Sequence, residues 1–253
     1  MSPSLEAGSG RRGAHEVKFR VSAGTAESIR VWAREFLEPD PYGGGPSGDV
    51  YRITSLYLDT PTFDVYFRRG SFGRAKFRIR RYDDGTRVFL ERKLKAREMV
   101  RKLRSPVKAK ELDHLEDESA SRDWAGRWFH RRINLRALSP VCQISYTRTA
   151  RLGRNEHGSI RLTLDQDLRA APARGFAFDD SGGGLLLAGG DVILELKFRG
   201  EMPARFAELT AEFGLVRQAL SKYRMAARAL GVAPPSPDRE APRPALSLEE
   251  ELL

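Results

Sequence analysis

Lysine, arginine and glutamate recur along this chain at a spacing of two. Glu16-x-Lys18, Lys76-x-Arg78-x-Arg80, Glu91-x-Lys93-x-Lys95 and Glu195-x-Lys197 each lie in a short segment whose intervening residues are mostly apolar. Val17 and Phe19 alternate with the first set, Phe77 and Ile79 with the second, Leu90 and Leu94 with the third, and Leu194, Leu196 and Phe198 with the last. Tyr146-x-Arg148 and Arg161-x-Thr163-x-Asp165 continue the pattern, the latter against Ile160, Leu162 and Leu164. Side chains alternate across a strand, so each segment places charge on one face and hydrophobes on the other. Guanidinium forks match phosphate oxygens bidentately, ammonium groups add point charges, and an interspersed carboxylate such as Glu195 can hold a hard divalent ion. Such a set can bind phosphate chains. It can also carry phosphoryl transfer by positioning and charge neutralisation, with no protein nucleophile.

An antiparallel sheet with one face in water shows alternation too. What departs from that pattern is the repetition of Glu-x-Lys and Arg-x-Arg, where a solvated face mixes Thr, Ser and Gln with Lys. If the sheet closes on itself, the inward faces form a tunnel crowded with cations, stable only when anions fill it. The expected fold is α+β, a closed antiparallel β-barrel with peripheral helices. Strands are expected near 15–21, 50–59, 74–82, 86–95, 141–150, 159–167 and 191–199, bounded by turn signals such as Asp84-Gly85 and Gly189-Gly190. Helical spacing covers 24–37, roughly 107–136, and 203–230, where Phe206, Leu209, Phe213 and Leu220 mark an apolar stripe. Loops are expected at 38–49 and 170–190.

The chain has 253 residues, 40% of them hydrophobic, which suits one large domain. Residues 1–13 are small, polar and Gly-rich, and 233–253 open with a Pro-rich run and end acidic; both read as disordered tails around a domain at 14–232. A net charge of +10 points to a polyanionic partner. Nucleic acid is disfavoured, because aromatic residues are not interleaved with the basic ones as stacking platforms. A single cysteine, Cys142, excludes a disulfide framework, and histidines at 15, 114, 130 and 157 have no zinc-ligand spacing. Gly182-Gly183-Gly184 lacks the Lys-Ser/Thr and helix start of a P-loop. The N-terminus has no apolar signal core and no segment is long enough to span a bilayer, so a cytoplasmic protein is expected, with membrane association only through a partner.

Eight segments in order resemble the VTC domain, the polyphosphate-polymerising domain of the vacuolar transporter chaperone complex, within the CYTH-like triphosphate tunnel metalloenzymes. They are HEVKF at 15–19, YRITSLYLDT at 51–60, KFRIRRY at 76–82, VFLERK at 88–93, SYTR at 145–148, IRLTLD at 160–165, LELKF at 194–198 and ALSKYRMA at 219–226. The resemblance implies an eight-stranded tunnel and transfer of the γ-phosphate of ATP onto growing polyphosphate, aided by Mn²⁺ or Mg²⁺. By motif it implies that Lys18, Arg78, Arg80, Lys93, Arg148, Arg161 and Lys222 contact phosphates, that Glu195 holds the metal, and that Ser221 touches a terminal phosphate. Tyr146, sharing a face with Arg148, and Lys76 and Lys197 join the binding set. Lys76, with Lys95, Lys102 and Arg104, either extends a basic mouth or lies on a solvated surface. Glu91 is either a second metal ligand or the partner holding Lys93, and Asp165 pairs with a nearby Arg. The chain departs from the Glu-x-Glu-x-Lys start common in the wider group, because the first acidic position is Ala14. A triphosphatase using water as acceptor and a non-catalytic polyphosphate-binding module are the competing functions.

Overall fold

The structure, a computed structural model, describes residues 4–6, 14–72, 75–96, 99–117 and 119–234. In chain order the strands are β1 (Ser4–Glu6), β2 (Ala14–Val21), β3 (Glu38–Pro39), β4 (Val50–Asp59), β5 (Ala75–Tyr82), β6 (Arg87–Ala96), β7 (Met99–Lys108), β8 (Ser139–Asn155), β9 (Gly158–Pro172), β10 (Leu185–Leu186) and β11 (Val192–Arg199). The helices are α1 (Ala23–Phe36), α2 (Asp64–Phe67), α3 (Arg127–Leu135), α4 (Ala204–Glu212) and α5 (Lys222–Ala229). All strand pairs are antiparallel, in the order β1-β7-β6-β5-β4-β8-β9-β11-β2, with β3 and β10 attached to β8 and β9.

The α+β class and the antiparallel sheet are as expected, but the described strands do not close. Nine strands rather than eight form the path, and among the described residues no ladder joins β2 to β7. The free edge of β2 is instead met by the segment before α5: the Gln218 amide donates to the Lys18 carbonyl at 2.8 Å, and Phe19 bridges Arg217. The sheet nonetheless curls strongly. β2 and β6 lie six strand steps apart along the path, roughly 29 Å at the usual spacing. Across the curl, Lys93 Nζ on β6 stands 2.7 Å from a Glu16 carboxylate oxygen on β2.

The convex face carries the hydrophobes. Val17, Phe19, Leu162, Leu164, Leu194 and Leu196 pack under α1 and α4, which contribute Ala26, Ile29, Phe206 and Leu209. α1 begins at Ser22, whose hydroxyl accepts the Thr25 amide at 3.1 Å and so satisfies one of the first-turn donors. Leu56, Leu58, Phe77, Ile79 and Leu90 form a second apolar layer with Phe129 and Ile133 of α3 and with Leu112 and Leu115.

The helix expected over 107–136 is corrected. Met99–Lys108 forms β7, paired with β6 along its whole length from Ala96↔Met99 to Arg87↔Lys108, and only 127–135 is α-helical. The helix expected over 203–230 is two, because Phe213 ends α4 and Gly214 turns the chain at a positive φ of 55°. Three residues of the expected N-terminal tail, Ser4–Glu6, pair with β7. The rest of 1–13, residues 235–253 and the Lys95 side chain lie outside the described residues.

Candidate functional site

Cross-strand neighbours in an antiparallel ladder share a face, so the register fixes which charges meet on the concave side. Tyr57 opposes Arg78, which opposes Glu91, which opposes Arg104. Lys76, Lys93 and Lys102 form the next row, and Lys18, Glu195 and Thr163 another on the opposite wall, flanked by Glu16, Lys197 and Arg161. Arg148 opposes Asp165. α5 delivers Ser221 and Lys222 against this same face: Lys76 Nζ lies 3.3 Å from Ser221 Oγ, and Lys222 Nζ lies 2.6 Å from Asp165. The structure therefore brings every residue of the expected binding set into one groove.

Each carboxylate there is committed to cations. Glu91, 2% exposed, receives Arg78 Nε at 2.6 Å and lies 3.2 Å from both Lys102 Nζ and Arg104 Nε. Burial raises its pKa, yet the surrounding Arg78, Arg80 and Lys102 hold the carboxyl well below its ordinary range. The pairing with Lys93 that the sequence offered goes elsewhere: Lys93 bonds Glu16. Asp165 is fully buried and accepts both arms of Arg148, at 2.6 and 2.7 Å, in addition to Lys222. Against its burial, these two cations keep it ionised far below the usual carboxylate pKa. Lys18 sits between Glu16 and Glu195, 3.1 Å from an oxygen of each. Burial works against its charge, but the two carboxylates raise its pKa above the ordinary lysine value.

Aromatic rings steer the remaining cations. Arg80, 5% exposed, donates to Ser55 Oγ at 3.1 Å and to the Tyr146 hydroxyl at 3.2 Å. Arg148 and Lys222 stand over the Tyr146 ring at 5.4 and 4.9 Å. Arg161 is held by Asp40 at 2.5 Å and the Tyr51 hydroxyl at 2.7 Å. Tyr57, stacked on Tyr223 at 5.6 Å, has its phenol drawn down to about 8: burial opposes ionisation, but Arg78, Arg80, Lys76 and Lys222 outweigh it. Lys76 is lowered to about 8, by desolvation first and then by the like charges of Lys18, Lys93 and Arg78.

Sequence reasoning left Glu16 and Asp40 without a role, and left Lys102 and Arg104 between a basic mouth and a solvated surface. Lys102 and Arg104 belong to β7, which was not expected as a strand, and their alternation with Leu103 was the available signal. Glu16 shares Lys18's face by its spacing. Asp40 comes from the loop after α1, and nothing in the sequence marks it.

The oxygen donors on this face fit a hard divalent ion. Glu16 and Glu195, each 3.1 Å from the same Lys18 nitrogen, have those oxygens at most about 6.2 Å apart. Thr163, opposite Glu195, has a buried hydroxyl with no hydrogen-bond partner. Among the described residues no three His, Cys, Asp or Glu side chains cluster as a complete cage. Two carboxylates suit Mg²⁺ or Mn²⁺, which complete their shells with water and substrate phosphate. No helix among the described residues is long and apolar enough to cross a membrane.

No curated protein sequence matches the chain. Among solved structures, a candidate adenylate cyclase from Bacillus halodurans aligns over 83% of this chain and 95% of its own, at 15% identity and a TM-score of 0.51, which places the two in one fold. A candidate adenylyl cyclase from Hippeastrum, reported to have a dominant triphosphatase activity, aligns over 87% and 96% at 17% identity and a TM-score of 0.48. The VTC domain family model matches residues 13–230, almost everything from β2 through α5, and the chain belongs to that family.

Proposed function

We propose that this protein is an inorganic polyphosphate polymerase that transfers the γ-phosphate of ATP onto a growing polyphosphate chain. The observation that carries this reading is the charge on the concave face. Among the described side chains, eleven cations, from Lys18 on β2 to Lys222 on α5, meet five carboxylates: Glu16, Asp40, Glu91, Asp165 and Glu195. The surplus of six exceeds the roughly four negative charges of one triphosphate. It suits a nucleotide together with a second phosphate chain in line.

In this reading Arg78, Arg80, Arg148 and Lys222 hold the transferring and leaving phosphates, because they converge around Tyr146 and Tyr57 at the α5 end of the groove. Ser221 and Lys76 orient a terminal phosphate. Lys18, Lys93, Arg161 and Lys197 line the run of the chain. Glu91 and Asp165 keep the arginines extended toward the groove rather than touching phosphate themselves. Glu195 with Glu16 would hold Mg²⁺ or Mn²⁺, whose charge would offset that developing on the leaving phosphate. The acceptor is a phosphate oxygen already anionic at neutral pH, so attack needs no general base. α5 and the Lys93–Glu16 pair would enclose a bound phosphate chain within the curl of the sheet.

A second reading, hydrolysis of triphosphate with water as acceptor, draws on the same cations and the same Glu16 and Glu195 pair. Purified protein incubated with ATP and Mn²⁺ separates the two. Long phosphate chains on a gel are expected; orthophosphate alone would replace synthesis by hydrolysis, and no turnover would leave only a binding module.

A further inference from the structure

On the convex side, away from the groove, three arginines meet with no acid among them. Arg92 lies on β6 between Phe77 and Leu103 in the register, so it faces opposite to Glu91 and Lys93. Its guanidinium stands 5.8 Å from the Phe77 ring, and its buried Nε has no hydrogen-bond partner. α3 packs across β6 and brings Arg132 and, at its C-cap, Arg136. Arg136 stands 5.1 Å from the Phe72 ring and donates to Ser71 Oγ at 2.5 Å, and the exposed Ser71 hydroxyl keeps a donor of its own. Among the described residues no carboxylate pairs with any of the three. The proximity of Arg132 and Arg136, together with desolvation, lowers the pKa of Arg92.

Three unneutralised guanidinium groups repel one another, and a group whose Nε is already dehydrated cannot recover the loss from water. Phe77 and Phe72 rings stand beside two of them, and guanidinium forks receive phosphate oxygens bidentately. We propose that Arg92, Arg132, Arg136 and the Ser71 hydroxyl form a second binding site, outside the groove, for a phosphate-bearing polyanion. The sheet separates it from the groove, so it can be occupied together with the first. Two sources supply this chemistry, a soluble phosphate chain and the phosphate headgroups of a lipid surface. The inference does not depend on which reaction the groove performs.

Calorimetric titration of the full chain with tripolyphosphate at low salt is expected to show two classes of site. R132E/R136E should weaken the exterior class at least about tenfold while sparing the groove class, and R78E/R80E should do the reverse; about 1.4 kcal/mol corresponds to each factor of ten. R132Q/R136Q, which removes charge without reversing it, serves if the first pair perturbs folding by circular dichroism. Flotation with phosphatidylcholine vesicles, with and without phosphatidic acid, identifies the source. Flotation that needs both the acid lipid and the arginines, without a second tripolyphosphate class, assigns the site to headgroups. Wild-type stoichiometry in the folded arginine variants, with no change in flotation, overturns the site. Loss of the groove class alone from an unsubstituted protein would count against the groove reading and leave this one standing.

Discussion

Asp165 is the counter-ion on which the groove depends most, and Asp165→Asn tests that dependence. The carboxylate is fully buried and accepts two bonds from Arg148 and one from Lys222, whose side chains are 13% and 9% exposed. Asparagine keeps the shape but removes the charge, leaving two dehydrated cations facing a neutral amide. Breaking a buried pair from one side costs about 3 to 5 kcal/mol. In a domain of this size that is a melting temperature lower by about 6 to 20 °C. Tripolyphosphate should restore most of the loss, because its oxygens replace the missing negative charge beside Arg148, and the variant's melting temperature should rise more than the parent's. The pH dependence is fixed in sign. The folded-state pKa of Asp165 lies below its unfolded value of about 3.9. Its stabilisation is therefore complete above that value and lost as pH falls toward the folded pKa, so the gap between parent and variant should narrow below about pH 4. Scanning calorimetry over pH 3 to 8 with and without tripolyphosphate, a range of about five units around that pKa, measures all of this. An unchanged melting temperature, or a ligand shift equal in both proteins, would refute the claim that buried cations here need an internal anion.

Two further perturbations address the groove. Glu195→Gln should lower turnover on the order of 100-fold while leaving tripolyphosphate affinity in metal-free buffer within about twofold, read by steady-state kinetics beside calorimetry; equal losses in both would make Glu195 a structural partner of Lys18 only. Lys76, drawn down to about 8, should lose its proton on raising the pH from 7 to 9, so tripolyphosphate affinity falls over that interval. Lys76→Arg keeps its charge and should hold affinity constant there, and identical profiles for the two proteins would remove Lys76 from the site.

The strands that line the groove were legible because their period is two and their two faces differ in kind. Glu16-x-Lys18 and Lys76-x-Arg78-x-Arg80 announce both a strand and the side that carries chemistry. β7 was not legible, although Lys102, Leu103 and Arg104 alternate in the same manner. The stretch carries charge on both faces, with Arg101 beside Lys102, and Pro106 interrupts it, so residues 96–106 fell to no element, while the helix expected from 107 overlaps only the last two residues of β7. In the structure Pro106 lies outside the three-residue pairing of β7 with β1, where a missing amide costs little. Closure was not legible either. Alternation fixes the face of each residue but says nothing of whether the last strand reaches the first, which depends on tilt and shear. The shared face of the strand residues could be read from their spacing, but Asp40 in its loop could not, since it meets Arg161 across 121 positions and only the fold brings them together.

The arrangement of acids within the groove explains how such a face can fold before any phosphate arrives. Eleven cations on one concave surface would repel one another in a medium that screens poorly. The carboxylates are distributed rather than gathered: Glu91 serves the β5–β7 wall, Asp165 serves Arg148 and Lys222, and Glu16 with Glu195 holds Lys18 between them. Glu91 and Asp165 are almost wholly buried, so an incoming phosphate cannot displace them and must add to the charge they leave unbalanced. Glu16 and Glu195 retain about a fifth to a quarter of their side-chain exposure and grip a lysine rather than an arginine fork. In the proposed reaction these are the carboxylates that would exchange Lys18 for a divalent ion. Lys18 released from them would be free to turn toward phosphate. The two buried acids thus set the geometry of the arginines, while in the proposed reaction the two accessible ones would couple metal binding to the presentation of Lys18, a division that follows from depth rather than from residue type.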